Sequence, residues 1–426
     1  MCLTIPARIR KLKGTIAVIQ DRGVDKEINA ALIPNLKIGD WILHLSGLAI
    51  KKISSGDAVQ IKELLETGRP IDTSKLSSDF VNVIKTSKIR NLTKEEIVFL
   101  LNVEGLEKKA LFSEANLIRQ TYLRDFICIH GIIEFSNYCR NDCLYCGLRK
   151  ENKNFKRYRM TPEEIVETAE EAVRKKGYKL LVLQSGEDPF YTPAMLCEII
   201  KKIKKRCRVF IFVSVGERDY QCYKKMKQAG ASGALFRFET SNFRLFKKLH
   251  PRGKNFESRF KHLKFMKKLG YFVVTGSLVG LAGQTIEDLA DDVLTTKKWA
   301  DMASLGPYAP AADTPLSNSR FLLSSSKKIE LTLKMIAVLR LLMKETKIPV
   351  VTALETLAGE SGRKKALLAG ANSLMFNLTP AKYRPLYKIY DRKFFRKENL
   401  WEKYGLFKNE ESYKMLEERM QKSLKD

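Results

Sequence analysis

The sequence predicts an α/β fold, a (β/α)8 TIM barrel preceded by a small β-barrel domain with a C-terminal helix. Three observations predict it. From about residue 125 onward, apolar β-like runs alternate with helical ones, eight units over about 255 residues, the length expected of such a barrel. Helix starts are marked chemically as well as by period: Thr161-Pro-Glu-Glu164 and Thr285-Ile-Glu-Asp288 each put a capping hydroxyl three residues before a carboxylate. The N-terminal stretch instead alternates apolar and polar residues between Gly, Asp and Pro, the pattern of short strands joined by turns.

Taken in order, the N-terminal strands fall at Thr4–Ile9, Gly14–Ile19, Lys26–Ile33 and Trp41–Leu45, and Ser55-Gly-Asp57 opens a helix over Ala58–Glu66. Thr67–Ser78 is polar and aperiodic, so the domains divide as 1–66, a linker at 67–90, the large barrel at 91–392 and a charged helical tail at 393–426. Residues 94–120 read as a helical lead-in that plugs or flanks the barrel. The barrel strands are expected at Phe126–Phe135, Lys179–Gln184, Val209–Val215, Ala234–Phe238, Phe272–Leu278, Met302–Leu305, Val350–Leu354 and Ser373–Phe376.

The net charge of +29, from 77 basic and 48 acidic residues, raises nucleic-acid binding as a class. Residues 1–66 carry 10 basic and 7 acidic residues, net +3, leaving +26 for the rest. There the charge sits on helix-like runs such as Lys201–Arg206 and Lys224–Lys227, without the interleaved aromatics that stack bases, so solvated outer faces are expected and nucleic acid is not. No run reaches the length of a membrane span and no secretory signal opens the chain, which makes the cytoplasm the expected compartment. Eight cysteines in so long a chain argue for a reducing environment. Cys128, Cys197, Cys207 and Cys222 have no motif partners and read as small core residues.

Cys139, Cys143 and Cys146 are different. They follow the first barrel strand in the spacing CxxxCxxC, at the C-terminal strand end where barrels place their active sites. A 4Fe-4S cluster normally takes four thiolates, so three leave one iron open to a ligand from outside the protein. A zinc site is the competing reading, but it usually draws on two Cys/His pairs, and no second CxxC or HxxxH exists here.

The spacing, with Tyr145 just before the last cysteine, resembles the radical S-adenosylmethionine (SAM) superfamily. From about 90 to 392 the chain resembles its HydE family, with methylornithine synthase and biotin synthase more distant. The stretches that carry the resemblance are Ile133-Glu-Phe-Ser-Asn-Tyr-Cys139, Gln184-Ser-Gly-Glu-Asp-Pro189, Phe238-Glu-Thr240, Leu249-His-Pro251, Gly283-Gln-Thr285, Asp313-Thr-Pro-Leu316, Gly370-Ala-Asn372 and Asn377-Leu-Thr-Pro380. The resemblance implies that Cys139, Cys143 and Cys146 hold the cluster, whose open iron binds SAM, and that an external donor's electron splits SAM into methionine and a 5'-deoxyadenosyl radical. It places Tyr145 beside the adenine, Ser185, Gly186 and Glu187 at the SAM amino group, and Glu217, Arg237 and Glu239 at the carboxylate and ribose. It offers Thr352, Arg363, Asn377 and Tyr387 for a small substrate at the barrel floor. The chain departs from the family at Ala311, where a histidine is common, at Ala282, where proline is usual, and at Val351, where threonine is usual. No cysteine follows Cys222, so the accessory cluster of some members is absent.

Residues 1–66 resemble the HypC/HupF chaperones of hydrogenase maturation, through Met1-Cys-Leu-Thr-Ile-Pro6, Gly39-Asp-Trp-Ile-Leu-His44 and Gly47-Leu-Ala-Ile50. That resemblance implies that Cys2 and His44 bind an iron bearing carbonyl and cyanide; thiolate and imidazole suit such an iron. Together the two resemblances imply a radical SAM enzyme of hydrogenase cofactor assembly, acting on a small or organometallic Fe(CO)(CN) substrate with other maturation proteins as partners. An amino-acid mutase of the methylornithine synthase type and a non-catalytic iron scaffold are the competing readings.

Overall fold

The computed structural model describes residues 5–21, 24–45, 47–59, 72–123, 127–251, 255–359 and 361–395. Cys2, the part of the expected helix Ala58–Glu66 beyond residue 59, and the expected tail from 396 lie outside the described residues.

Five strands form the small barrel: β1 (Ile5–Lys13), β2 (Ile16–Asp21), β3 (Val24–Asn29), β4 (Trp41–Leu45) and β5 (Leu48–Ile53). They close in the order β1-β2-β3-β5-β4, with β4 returning to β1. Ala7 and Ile9, Ala17 and Ile19, then Ile28, Ile42 and Ala49 fill the interior, the period-two alternation that the sequence displayed. β5 is an addition to the expected strands: its run Leu-Ala-Ile-Lys-Lys-Ile buries only Ala49 and Ile53, too sparse an alternation to declare itself. The third strand ends at Asn29 rather than Ile33, because Asn29 Oδ1 accepts the Ala31 N–H at 2.9 Å and turns the chain.

The large barrel has the eight expected strands: β6 (Cys128–Ser136), β7 (Leu180–Ser185), β8 (Phe210–Ser214), β9 (Gly233–Leu235), β10 (Phe272–Thr275), β12 (Met302–Ala303), β14 (Pro349–Val350) and β15 (Ser373–Asn377). They run parallel in the order β12-β10-β9-β8-β7-β6-β15-β14, and a bridge from Met302 to Lys347 brings the two edges together. A short parallel pair, β11 (Leu278–Val279) with β13 (Gly306–Pro307), continues two of the strands upward. Cys128, Ile132, Leu180, Val182, Phe210, Phe212, Phe272, Val274 and Met302 pack inside the strands, while their alternates face the helices.

Three expectations need correction. The seventh strand stops at Val350, and Thr352–Ala358 is a helix: Thr-Ala-Leu-Glu-Thr-Leu-Ala satisfies helical preference once the β-branched pair Val350-Val351 has passed. The fourth strand ends at Leu235, so Arg237 and Glu239 lie in the loop above it. The second half of the supposed linker is a helix, Ser78–Ile89, capped by Ser77 and packed through Phe80 and Ile84 on the large core. The lead-in forms two helices, Lys94–Asn102 and Gly105–Leu123, the longer lying against the helix Ser325–Leu342 on the barrel's outer wall. The expected capping boxes at Thr161/Glu164 and Thr285/Asp288 form.

Inside the barrel's lower end, His130 Nε2 lies 2.8 Å from Ser373 Oγ and 3.3 Å from Cys128 Sγ. Burial, helped by the nearby charge of Lys347, pushes the imidazole down to about 3. Unfolded His130 takes a proton below about 6.5 while the folded one stays neutral, so its contribution is complete above that pH and is lost as pH falls toward 3. His130→Gln should therefore cut the loss of stability between pH 7 and 4.5 by about 2–3 kcal/mol. Denaturant titrations across that range check it; parallel curves for the two proteins would contradict it.

Candidate active site

The loop after β6 is built by backbone capture. Asn137 is fully buried, donates to the carbonyls of Lys156 (2.9 Å) and Leu386 (2.8 Å), and accepts the Tyr158 N–H at 2.7 Å. Arg157 spends its guanidinium on four carbonyls, those of Asn137, Leu148, Arg149 and Asn152, at 2.5 to 3.0 Å. So braced, the loop turns Cys139, Cys143 and Cys146, none of them in a disulfide, into one cavity at the top of the barrel. Among the described residues no three His, Cys, Asp or Glu side chains converge as ligands of a single ion would. Three thiolates lining one cavity suit a cluster in which each takes its own iron.

The loop after β7 closes against this one. Gly186 N–H donates to Ser136 O at 3.1 Å, and a Cβ on Gly186 would stand 2.2 Å from Tyr138 O and 2.8 Å from Cys139 Cβ. Glu187, 5% exposed, accepts Glu217 N–H at 2.9 Å and Arg140 Nε at 3.2 Å. Gly216, at φ +69°, packs on the Glu187 side chain, where a Cβ would come within 2.0 Å of Cγ. The cavity thus has a cradle of main chain where the sequence keeps glycine.

Of the residues that the resemblance offers to SAM, Ser185, Gly186, Glu187, Arg237, Glu239 and Tyr145 line the cavity. Glu217 does not. Its carboxylate pairs at 3.4 Å with Arg259, which lines the cavity in its place. Burial pulls the Arg259 guanidinium down, yet the carboxylates of Glu217 and Glu187 hold it above its ordinary value. Glu239 adopts φ +70°, its N–H donating to Gly276 O at 3.2 Å and its carbonyl accepting Leu278 N–H at 2.8 Å, so a strained backbone presents this carboxylate. Arg237 donates to Ser277 O at 2.5 Å and faces Glu239 at 3.4 Å, while its Nε has no hydrogen-bond partner among the described residues. The Tyr145 hydroxyl meets His250 Nε2 at 3.0 Å, and His250 Nδ1 lies 2.8 Å from Phe246 O. Burial raises the phenol far above its ordinary value and keeps it neutral.

Of the residues offered for the substrate, Thr352 and Tyr387 line the cavity. Arg363 and Asn377 do not: Arg363 pairs with Glu355 at 3.0 Å, and Asn377 Nδ2 donates to Glu134 at 2.7 Å. Sequence reasoning missed Glu134, Gln184, Arg259, Tyr390 and Lys393, which do face the cavity. Glu134 and Gln184 lie within stretches that carry the family resemblance, which was their signal. Lys393 had none, since the expected barrel ends at 392 and the residue falls in the expected tail. On the small barrel, His44 is buried on β4, with Ile5 opposite it in register.

The comparisons agree with this geometry. Residues 133–295 match the radical SAM superfamily. The FeFe hydrogenase maturase subunit HydE of Thermotoga maritima is 46% identical over 313 residues, 73% of this chain and 87% of that protein. The chain belongs to the HydE family of radical SAM enzymes. Membership in that superfamily implies a 4Fe-4S cluster and SAM, and the cavity, with three cysteines beside a main-chain cradle, fits both. The 3-methylornithine synthase of Methanosarcina barkeri is 31% identical over 71% of this chain and 84% of its own. A crystal structure of methylornithine synthase superposes with a TM-score of 0.66 at 29% identity, over 75% of this chain and 92% of that one. Residues 1–65, outside the HydE-like barrel, match the HupF/HypC family. Among the described residues no helix is long and apolar enough to cross a membrane.

Proposed function

We propose that this chain is a radical SAM maturase of hydrogenase assembly whose substrate is a small molecule carrying a cysteine-ligated Fe(CO)(CN) unit, delivered to or received from the N-terminal domain. One observation carries the reading: a HupF/HypC domain and a HydE-like barrel occur in one chain, and the barrel's three loop cysteines share a cavity with the candidate SAM contacts. Cys139, Cys143 and Cys146 hold the cluster; Ser185, Gly186 and Glu187 receive the SAM amino group. Arg237 offers its open Nε and a planar fork to the carboxylate, a bidentate match that a lysine lacks. When bound and reduced by an external donor, the cluster supplies the electron that cleaves SAM to methionine and a 5'-deoxyadenosyl radical. Arg259 and Glu239 fix the ribose side, Tyr145 stays neutral against His250, and the enclosing loops exclude water from a species that attacks most C–H bonds.

Cys2 and His44 are the proposed iron site of the small barrel. The anaerobically reconstituted protein, given SAM and dithionite, should release 5'-deoxyadenosine or an adenosylated product; neither appearing would overturn the radical SAM reading. Infrared bands of bound CO and CN should vanish in Cys2→Ala, and bands indifferent to that change would remove the carrier role. The similarity to methylornithine synthases favours a second reading, an amino-acid mutase. A lysine mutase has no use for an iron chaperone, and conversion of L-lysine by the same preparation would decide for it.

A further inference from the structure

Residues 383–394 run back over the barrel mouth as a strap. Leu386 O accepts Asn137 Nδ2 at 2.8 Å and Ile389 O accepts Gly147 N–H at 2.9 Å, tying the strap to the cysteine loop. Asp391 N–H donates to Pro310 O at 3.0 Å while its carboxylate accepts Ala312 N–H at 2.7 Å, and Phe394 N–H donates to Thr356 Oγ1 at 3.0 Å. The fit is close: a Cβ on Gly147 would stand 2.1 Å from Lys388 O. The strap thereby turns Tyr387, Ile389, Tyr390 and Lys393 into the cavity.

Lys393 is ion-paired there with Glu134 of β6, and the two side chains are only 7% and 3% exposed. Asn377 Nδ2 holds the other Glu134 oxygen at 2.7 Å, and the Lys393 ammonium stands 4.8 Å from the centre of the Tyr387 ring. A buried ion pair contributes little stability, because desolving two charges offsets most of their attraction. This one lies on a cavity wall, opposite in chemistry to a zwitterion. A substrate carboxylate can replace Glu134 at Lys393 while a substrate ammonium replaces Lys393 at Glu134, and no charge is left uncompensated by the exchange. Sites built to bind a charged group reject analogues lacking it, since the protein partner is then left buried and unpaired.

We infer that Glu134 and Lys393 are a matched positioning pair for the α-amino-acid headgroup of the substrate, a refinement that rests on the function proposed above. The class it names is an amino acid or an amino-acid-ligated metal unit. The test uses the full chain, reconstituted anaerobically with cluster and SAM, and calorimetry with L-serine, L-lysine, ethanolamine, which lacks the carboxylate, and 3-hydroxypropionate, which lacks the ammonium. At least one amino acid should bind about ten- to hundredfold tighter than either truncated probe. K393M should weaken it to the level of ethanolamine, while ethanolamine itself, which then leaves no buried Lys393 unpaired, should bind no more weakly than before; E134Q should do the converse with 3-hydroxypropionate; K393R should restore most of the affinity. A structural role would weaken all probes alike, and that pattern, or failure of both amino acids to bind, would overturn the inference. Reductive SAM cleavage by the unaltered protein is scored beside it: cleavage with a flat binding pattern removes only the headgroup pair, whereas no cleavage removes the radical SAM reading itself.

Discussion

Cys143→Ala is expected to lose the iron–sulfur absorption of the reconstituted protein and to cut reductive SAM cleavage by at least about 10³-fold, some 4 kcal/mol of barrel-borne catalysis. The expectation follows from ligand number. With one open iron already committed to a ligand from outside, removing a second protein ligand leaves only Cys139 and Cys146 to hold four metals. Cys143 is the most enclosed of the three, 6% exposed, so water has poor access as a substitute ligand. The contrast lies within the same chain. Cys222→Ala removes a thiol that is just as buried but lies on the buried face of the helix Tyr220–Gln228, where burial pushes it up and keeps it protonated. It should cost about 1 kcal/mol of stability and no iron. Iron content, visible absorption and 5'-deoxyadenosine yield separate the two variants, and a Cys143→Ala protein with a full cluster and normal turnover would refute the assignment.

Why the cysteines were legible while Arg157 was not comes down to what each residue contacts. Three thiols at fixed spacing are a statement about ligands, and it can be read from residue types. Arg157 binds four main-chain carbonyls, which every residue possesses, so no pattern in the sequence announces it. The barrel was legible for a related reason. Strands buried on both faces read as near-continuous apolar runs, as Phe210-Ile-Phe-Val213 of β8 does, and alternate with capped helices. β14 is only Pro349–Val350, too short to show a period, and its expected extension went into a helix. Glu217 rests on the family resemblance alone; its carboxylate pairs with Arg259, which comes from a helix 42 residues on and lines the cavity where Glu217 does not. Lys393 was hidden by its neighbours: Arg392-Lys393-Phe-Phe-Arg-Lys397 reads as a solvated tail, and only the pairing with Glu134, 259 positions earlier, removes it from water.

Gly186→Ala is expected to do nearly as much damage while leaving all three cysteines in place. The added methyl would lie 2.2 Å from Tyr138 O and 2.8 Å from Cys139 Cβ, and the first of these is main chain that cannot rotate away. Something must move by most of an ångström. The β7 side has little freedom, because Gly186 is held from both directions: its N–H donates to Ser136 O, its carbonyl accepts Asp188 N–H at 2.8 Å, and fully buried Asp188 is gripped by Arg159 at 2.7 Å and Ser136 Oγ at 2.7 Å. The shift therefore falls on Tyr138 and Cys139, the loop that sets the first thiolate. A misplacement near 1 Å costs about 10²-fold where geometry governs the reaction, so SAM cleavage should fall by about that factor. Ser185 supplies the control within the motif. Its hydroxyl donates to Gly186 O at 2.7 Å, and Ser185→Ala only removes an atom, so it introduces no clash and should keep its cluster. If Gly186→Ala also keeps a full cluster and undiminished turnover, the close approach of the two loops is not what holds Cys139 in place, and the bracing by Arg157 alone must do so.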